Sequence, residues 1–279
     1  MNTKKAATLL LCLLVSALLI TISIRANGGA PSGEFFAHAL THQEQLCGRS
    51  LDVTYTFWID NNHHSDCRYV RSFDTLFLER KSGLRDTRSR LDRNSKEFRQ
   101  VTIPKDGGHS EGIIDDKFAG DLGNRVIPDV VLFPVDVGTL SELVSRGKVE
   151  SDKQDINGSS CWLIEIPSKY NPDEVYRVWL DPTIGYCPRR IEILRANRLP
   201  QTIDFLLYKD LANGLWLPME IRNKYQFVVR TKRDEIVESV MKVSKVEIDQ
   251  TISTSELDVV FSKGCDVYNK ITNAKYVQP

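Results

Sequence analysis

Short runs of alternating apolar and polar residues are the dominant pattern of this sequence. In the segment Val175–Ile193, VYRVWLDPTIGYCPRRIEI, Val178 and Leu180 fall on the apolar face of a first run, and Ile191 and Ile193 on that of a second. Successive side chains of a strand point to opposite faces, so each run reads as a strand. The letters DPTIG between them combine the proline and glycine of a tight reversal. The segment therefore predicts a β-hairpin with one face towards a core.

The same alternation recurs along the chain and predicts about ten strands. The cleanest run is Leu51–Ile59, in which Val53, Tyr55 and Phe57 share the apolar face. Further strands are predicted at Arg68–Arg80, Leu84–Leu91, from Lys148 onward, and at Cys161–Ile166, Thr202–Leu211, Leu215–Val229, Ile236–Ile248 and near Tyr268–Val277. Turn signals join most of them as sequential hairpins, so the sheet is expected to be antiparallel and to curl as it grows.

Two helices are predicted beside the strands. Glu34–Cys47 has a broad apolar stripe and follows Ser32 as N-cap, and Thr139–Ser145 opens with a capping-box pattern. The stretch Gly107–Pro134 has no clear period and is expected to be a lid or entrance loop, unless it hides an element. The expected fold class is α+β: a strongly curved antiparallel sheet, open as a half-barrel, with helices covering its concave face.

The start of the chain carries an apolar run, Ala6–Ile24, flanked by basic residues and free of acidic ones. This pattern is typical of a secretory signal peptide. The run also approaches the roughly 20 residues that span a bilayer, so an uncleaved membrane anchor is the alternative. We expect residues 1–26 to be signal or anchor, 27–33 a linker, and 34–279 a single domain in the periplasm or another extracytoplasmic compartment.

The overall charge of the chain argues against one class of function, the binding of nucleic acid. The chain has 37 basic and 37 acidic residues, and this balance gives no sign of nucleic acid binding. Alternation places Arg88 and Arg90 on one strand face, where they could meet a lipid headgroup or a partner's carboxylates, or simply be solvated. It also places Trp58 and Trp179 opposite the apolar face, so the second face of the sheet is either partly covered or an aromatic surface for a partner or a membrane.

The pairing of the cysteines beyond the apolar run is left open by the sequence. Their number is odd, so at least one of Cys47, Cys67, Cys161, Cys187 and Cys265 stays free in an oxidising compartment. Cys47 and Cys67 flank a strand of about 25 to 30 Å, too long for a disulfide. Cys161 and Cys187 lie in neighbouring strands and are the better placed pair.

Several segments resemble a known family of envelope proteins. The export signal, the amphipathic helix and the segment VWLDPTIGYCPRRIEI resemble the periplasmic lipoprotein carriers and outer-membrane lipoprotein-sorting proteins (LolA-like). DLANGLWLPMEI and VVFSKGCDVYNKITNAKYV also resemble segments of such proteins, and the likeness covers about residues 34–277. The resemblance implies an open half-barrel whose apolar hollow, closed by helices, holds acyl chains or another hydrophobic ligand.

Motifs for catalysis are weak. Gly108–Gly112 reads GHSEG and matches the pattern of a hydrolase nucleophile elbow, but no histidine follows it in the chain. His63, His64, Asp66 and Cys67 lie close together in sequence but lack the spacing of an established zinc motif. We therefore predict no catalytic residue, no metal and no cofactor. A zinc-dependent hydrolase that uses the two histidines and Asp66 is kept as a third alternative.

The function expected from these observations is that of a monomeric, non-enzymatic carrier of acyl chains, lipid or lipoproteins. The alternative is a membrane-anchored envelope sensor or structural domain that binds a protein partner. Apolar side chains of the strands are expected to line the ligand compartment, namely Val53, Tyr55, Phe57, Trp162, Ile164, Val178 and Ile191.

Overall fold

The structure is a computed structural model and describes residues 30–46, 50–60, 63–72, 74–92, 94–116, 129, 132–133, 138–169, 171–196, 198–212, 214–227 and 235–279. The segment predicted as a signal or anchor lies outside these residues. Within them, no helix combines the length and the apolar character needed to cross a bilayer.

Two α-helices are described, close to where the sequence predicts them. Helix α1 spans Gly33–Leu46, and the hydroxyl of Ser32 accepts a hydrogen bond from its first turn. Helix α2 spans Leu140–Val144. The predicted capping box is confirmed, because Thr139 accepts from the Glu142 N–H while the Glu142 carboxylate accepts from the Thr139 N–H. Short 3-10 helices occupy Pro182–Ile184 and Thr254–Leu257.

The strands account for most of the described chain. They are β1 (Ser50–Ile59), β2 (His63–Ser72), β3 (Thr75–Ser82), β4 (Arg85–Asp92), β5 (Phe98–Pro104), β6 (Glu111–Asp115), β7 (Leu132–Phe133), β8 (Gly138–Thr139), β9 (Lys148–Ile156), β10 (Ser159–Pro167), β11 (Glu174–Asp181), β12 (Cys187–Arg195), β13 (Gln201–Ala212), β14 (Leu215–Phe227), β15 (Glu235–Ile248), β16 (Asp266–Asn269) and β17 (Ala274–Val277).

One open, curved sheet of 15 strands organises the fold, in the order β17-β16-β6-β5-β4-β3-β2-β1-β15-β14-β13-β12-β11-β10-β9. Strands β6 and β16 are parallel, and the other neighbours are antiparallel. Strand β1 lies in the middle because it pairs with both β2 and β15. It thereby joins an early meander to a late one. Strands β7 and β8 form a separate small sheet.

The predicted number of about ten strands is wrong. The expected strand Arg68–Arg80 is two strands, β2 and β3, which reverse at a turn where the Ser72 hydroxyl bonds to Asp74. Strand β2 begins at His63, five residues before the predicted start at Arg68. Strands β5 and β6 were not predicted, and the final strand is the pair β16 and β17. These strands are short and their apolar residues are divided between the two faces, so no apolar–polar alternation marks them.

The apolar residues form clusters on both faces of the sheet. The largest cluster joins one face to α1 and α2, through Phe36, Leu40, Leu140 and Leu143. On the opposite face, the segment from Leu257 to Val267 packs over β2, β3, β5 and β6. Trp179 is buried in a third cluster on β9 to β11. The alternative in which the second face is partly covered is thus confirmed.

Candidate functional site

The seven residues predicted to line a ligand compartment lie in one hydrophobic cluster, on the sheet face that packs against α1 and α2. Phe57 and Trp162 are half-buried at its margin, and the others are at most 4% exposed. Ile164 lies opposite Val178, and Val178 lies opposite Ile191, so these three form a row across β10 to β12. The alternation therefore located one continuous apolar face. Contact of these residues with a ligand stays a prediction.

Aromatic rings hold the first turn of α1 against this face. The ring centroid of Phe36 lies 5.3 Å from that of Tyr186 and 6.3 Å from that of Trp162. Phe35 meets Tyr186 edge to face at 5.2 Å. Burial raises the pKa of the Tyr186 hydroxyl. The N-terminal part of α1 is therefore packed on the hairpin turn after β11 and on β10.

A buried glutamine fastens the other end of α1. Gln43 is 3% exposed, and its side-chain amide donates to the Gly214 carbonyl at 2.9 Å. Its carbonyl oxygen accepts from the backbone N–H of Trp216 at 3.1 Å. Both partners lie at the turn between β13 and β14. This contact fixes α1 by directional hydrogen bonds in addition to apolar packing.

The hairpin turn after β11 is shaped to receive Gln43. Gly185 has φ +65°, in the left-handed region that favours glycine, and a Cβ there would lie 2.5 Å from the Gln43 amide nitrogen. Asp181 caps the turn by accepting from the N–H and hydroxyl of Thr183. Burial alone would raise the pKa of Asp181, but the hydrogen bonds from Thr183 and Arg189 outweigh it and lower that pKa.

Charged residues interrupt the apolar face on β2. Arg71 donates to Asp129 at 2.5 Å, and the Tyr69 hydroxyl donates to the same carboxylate at 2.9 Å. The Arg71 and Asp129 side chains are 6% and 1% exposed. Asp129 belongs to the predicted lid stretch 107–134, of which residues 117–128 lie outside the described ranges. The alternation gave no sign of this buried ion pair.

A second cation, Arg80 on β3, lies on the same face. It follows Leu78 by two positions, and Leu78 belongs to the cluster under the helices. Its guanidinium donates to the Ser65 hydroxyl at 2.8 Å and lies 5.8 Å from the centroid of the Phe57 ring. Arg80 is not among the site residues predicted from the sequence. The available signal was a cation where the alternation calls for an apolar residue.

The candidate zinc residues do not converge on one point. His63 and His64 are both exposed on β2, where alternation directs their side chains to opposite faces. Asp66 shares the face of His64, whereas buried Cys67 shares that of His63. The GHSEG motif, Gly108–Gly112, runs directly into β6 rather than into a helix, so it does not have the geometry of a nucleophile elbow.

Cys161 and Cys187, the better placed pair by sequence, do not form a disulfide. Cys67, Cys161, Cys187 and Cys265 are buried free thiols, whereas Cys47 lies outside the described residues. Cys161 belongs to the cluster on one face of the sheet and Cys187 to the cluster on the other. Burial raises the pKa of Cys161 to about 12.

The opposite face presents the basic and aromatic residues noted in the sequence. Arg88 and Arg90 form ion pairs with Glu79 and Asp258, which leaves neither as a free cation for a headgroup. A cleft of about 310 Å³ is lined by Trp58, Asp60, Glu238 and Val240. It lies on the face away from the helices, since Trp58 alternates with Phe57.

Comparison with solved structures places the chain within a known fold. A DUF1329 family protein from Desulfovibrio piger shares 11% identity over 82% of this chain and 98% of its own length, with a TM-score of 0.55. A Vibrio parahaemolyticus domain described as an outer membrane lipoprotein-sorting protein shares 11% identity over 81% and 95% of the two chains, with a TM-score of 0.48. The Pseudomonas aeruginosa MucA/MucB complex gives 10% identity over 78% and 99%, with a TM-score of 0.23.

These likenesses concern the fold alone, because the identities are low. The LolA-like fold indicated by the sequence is confirmed at that level. No protein-family model matches the sequence, and no curated protein matches it either. Function therefore has to be argued from the residues.

Proposed function

We propose that the protein is an extracytoplasmic binding or carrier protein for a hydrophobic ligand, with acyl chains or lipid as the ligand class and no catalytic step. The periplasm is its proposed compartment. The observation that carries the proposal is the width of the apolar sheet face relative to the helices that pack on it.

The dimensions support a lining larger than its helical cover. Fifteen strands about 4.8 Å apart make a sheet about 65 Å across along its curve. Helix α1 has 14 residues and is about 21 Å long, and α2 has 5 residues and is about 8 Å long. They pack on β14 and β10. The cluster nevertheless extends to Leu78 and Phe98 on β3 and β5. Because these side chains are 2% and 1% exposed, the chain itself covers this part of the face, and in the proposed carrier a ligand reaches it by displacing that cover.

The mode of attachment of α1 suggests how such a compartment opens. Its first turn is held mainly by aromatic rings, whereas Gln43 forms directional bonds near its end. Non-directional packing tolerates displacement more readily than hydrogen bonds do. In the proposed carrier, the aromatic end of α1 moves and the Gln43 end acts as the pivot. A ligand then enters between α1 and the strands.

Binding of a neutral apolar probe tests the proposal. The full chain, purified from its native envelope, is extracted for lipid and examined by mass spectrometry, and the delipidated protein is titrated with N-phenyl-1-naphthylamine. We expect co-purified lipid and saturable fluorescence enhancement. A protein that carries no lipid and gives no enhancement is not a carrier of hydrophobic ligands.

A pair of substitutions locates the binding region. Phe57→Ala removes a half-buried ring at the cluster margin, so it should weaken probe binding. Leu84→Ala removes an apolar side chain that is 77% exposed in the turn between β3 and β4, and it should leave binding unchanged. Equal effects of the two substitutions would argue against a compartment next to Phe57.

A second candidate function, a membrane-anchored sensor that binds a protein partner, is favoured by the exposed edge strand β17. Its four residues are all exposed, and Tyr276 and Val277 are 41% and 60% exposed. An extended peptide could add to such an edge. The N-terminal residue of the native protein separates the candidates: a chain that retains residues 1–26 is anchored, whereas a diffusing carrier must lose them.

A further inference from the structure

Arg80 is exceptional among the arginines of the structure. Among those in the described ranges that are at least partly buried, the others form ion pairs with carboxylates: Arg68, Arg71, Arg90, Arg177, Arg189, Arg190 and Arg195. Arg80 is half-buried, and its contacts are the neutral hydroxyl of Ser65 and the ring of Phe57. Among the arginines that the structure describes as partly or fully buried, Arg80 is thus the one without a carboxylate partner, and it lies on the face that packs against the helices.

An arginine in this position destabilises the folded protein unless a bound ligand supplies the counter-charge. A partly desolvated charge without a counter-charge disfavours folding. A guanidinium presents parallel N–H donors that match a carboxylate or a phosphate and bind it in a bidentate manner. Arg80 uses its Nε for Ser65. Its two terminal nitrogens remain suited to an anion.

The surroundings of Arg80 combine hydroxyl groups on one side with apolar side chains on the other. Thr87 lies directly opposite Arg80 on β4, and Ser65 lies opposite Phe57. Phe57 in turn lies opposite Met241 on β15. The polar end of a ligand would therefore meet hydroxyls and a cation, and the remainder would meet the apolar cluster.

We infer that Arg80 binds the anionic headgroup of an amphiphile whose acyl chain lies along Phe57 and Met241. The headgroup is a carboxylate or a phosphate, and the hydroxyls of Ser65 and Thr87 supply further hydrogen bonds. This inference rests on the proposed function and adds the charge of the ligand to it.

Displacement of a fluorescent fatty acid tests the inference. The full chain is loaded with 11-(dansylamino)undecanoic acid and titrated, below micellar concentrations, with oleate, with lysophosphatidylglycerol and with uncharged monoolein. We expect both anionic amphiphiles to displace the probe at lower concentration than monoolein does. The stronger of the two identifies the headgroup as carboxylate or phosphate. Acetate and inorganic phosphate should displace nothing, because they lack the acyl chain.

Variants connect the selectivity to Arg80. Arg80→Gln should weaken the binding of the better anionic amphiphile about 10- to 100-fold, as expected for losing hydrogen bonds to a charged group. The affinity for monoolein should not change. Arg80→Lys keeps the positive charge but lacks the parallel N–H donors of a guanidinium. Its affinity for the anionic amphiphile should therefore fall between that of the unaltered chain and that of Arg80→Gln. Arg88→Gln removes the same charge from the opposite face, next to Glu79, and serves as the matched control.

The outcomes separate this inference from the proposed function. Binding of monoolein as tight as that of the anions, together with no effect of Arg80→Gln, overturns the inference and leaves a carrier of neutral lipids. Failure of every amphiphile to bind overturns both. Thermal melting accompanies each variant. If Arg80→Gln does not fold, the inference is tested on the unaltered chain and on Arg80→Lys. Equal affinities of both proteins for anionic and neutral amphiphiles then overturn it.

Discussion

The contact between Gly185 and Gln43 offers a quantitative test of how α1 is held. Gly185→Ala adds a methyl group at φ +65° that would lie 2.5 Å from the Gln43 amide nitrogen. Gly158 is the matched control, because it also occupies a hairpin turn with positive φ, +81°, and a Cβ there meets no atom within 4 Å. Gly158→Ala therefore measures the backbone cost alone.

Two contributions determine how far Gly185→Ala should lower the free energy of unfolding. An alanine in the left-handed region costs about 1 to 2 kcal/mol, which both substitutions share. At Gly185 the methyl group also displaces the Gln43 amide, which bonds to Gly214 and Trp216. Each such hydrogen bond contributes about 0.5 to 1.5 kcal/mol. We expect Gly185→Ala to lower the free energy of unfolding by about 2 to 5 kcal/mol, against about 1 to 2 kcal/mol for Gly158→Ala.

Urea denaturation of the single and double variants provides the assay. In the Gln43→Ala background the methyl group at position 185 has no amide to displace, so its cost should fall to that of Gly158→Ala. The coupling between the two sites should be about 1 to 3 kcal/mol. Equal effects of the two glycine substitutions, together with additive behaviour with Gln43→Ala, would refute the close contact.

Three further predictions concern a cap, a carboxylate and a thiol. Thr139→Ala removes the capping box of α2 and should cost about 1 kcal/mol in urea denaturation, whereas Thr139→Ser should cost little. Because the pKa of Asp181 is lowered in the folded protein, its stabilising contribution is present above the ordinary pKa of about 3.9 and is lost as the pH falls through the lowered pKa. Asp181→Asn should therefore flatten the fall of the urea midpoint below about pH 4, and an unchanged fall would contradict this. Burial that raises the pKa of Cys161 to about 12 should leave it unmodified by iodoacetamide at pH 8, with labelling only in urea, and peptide mapping that finds it labelled in the native protein would disprove its inertness.

The local predictions succeeded where a short segment carries its own signal. The hairpin Val175–Ile193 folds as expected, with Gly185 in the left-handed region, because proline and glycine act on the backbone within a few residues. The capping box at Thr139 is equally local. The row Ile164, Val178 and Ile191 lies on the face that the alternation assigns to it.

The missed features depend on residues that are distant in sequence. Strand β5 was overlooked because its face towards the helices is apolar only at Phe98, and its place becomes clear only between β4 and β6. The parallel pairing of β16 with β6 brings Asp266 beside Glu111. No local pattern encodes that contact.

Alternation along the chain by itself determined which side chains of most strands share a face, and the turn residues determined where most hairpins reverse. The tertiary structure alone decided that β1 joins the two meanders, which cysteines lie on opposite faces, and which arginines find a carboxylate. The physical reason is that the direction of a side chain depends on the parity of its position in a strand. Its partner, by contrast, depends on which strands become neighbours, and that is set by the packing of the whole chain. Arg80 illustrates the difference: its face could be read from Leu78, whereas the absence of a counter-charge among the described residues could be seen only after the fold had placed every neighbour.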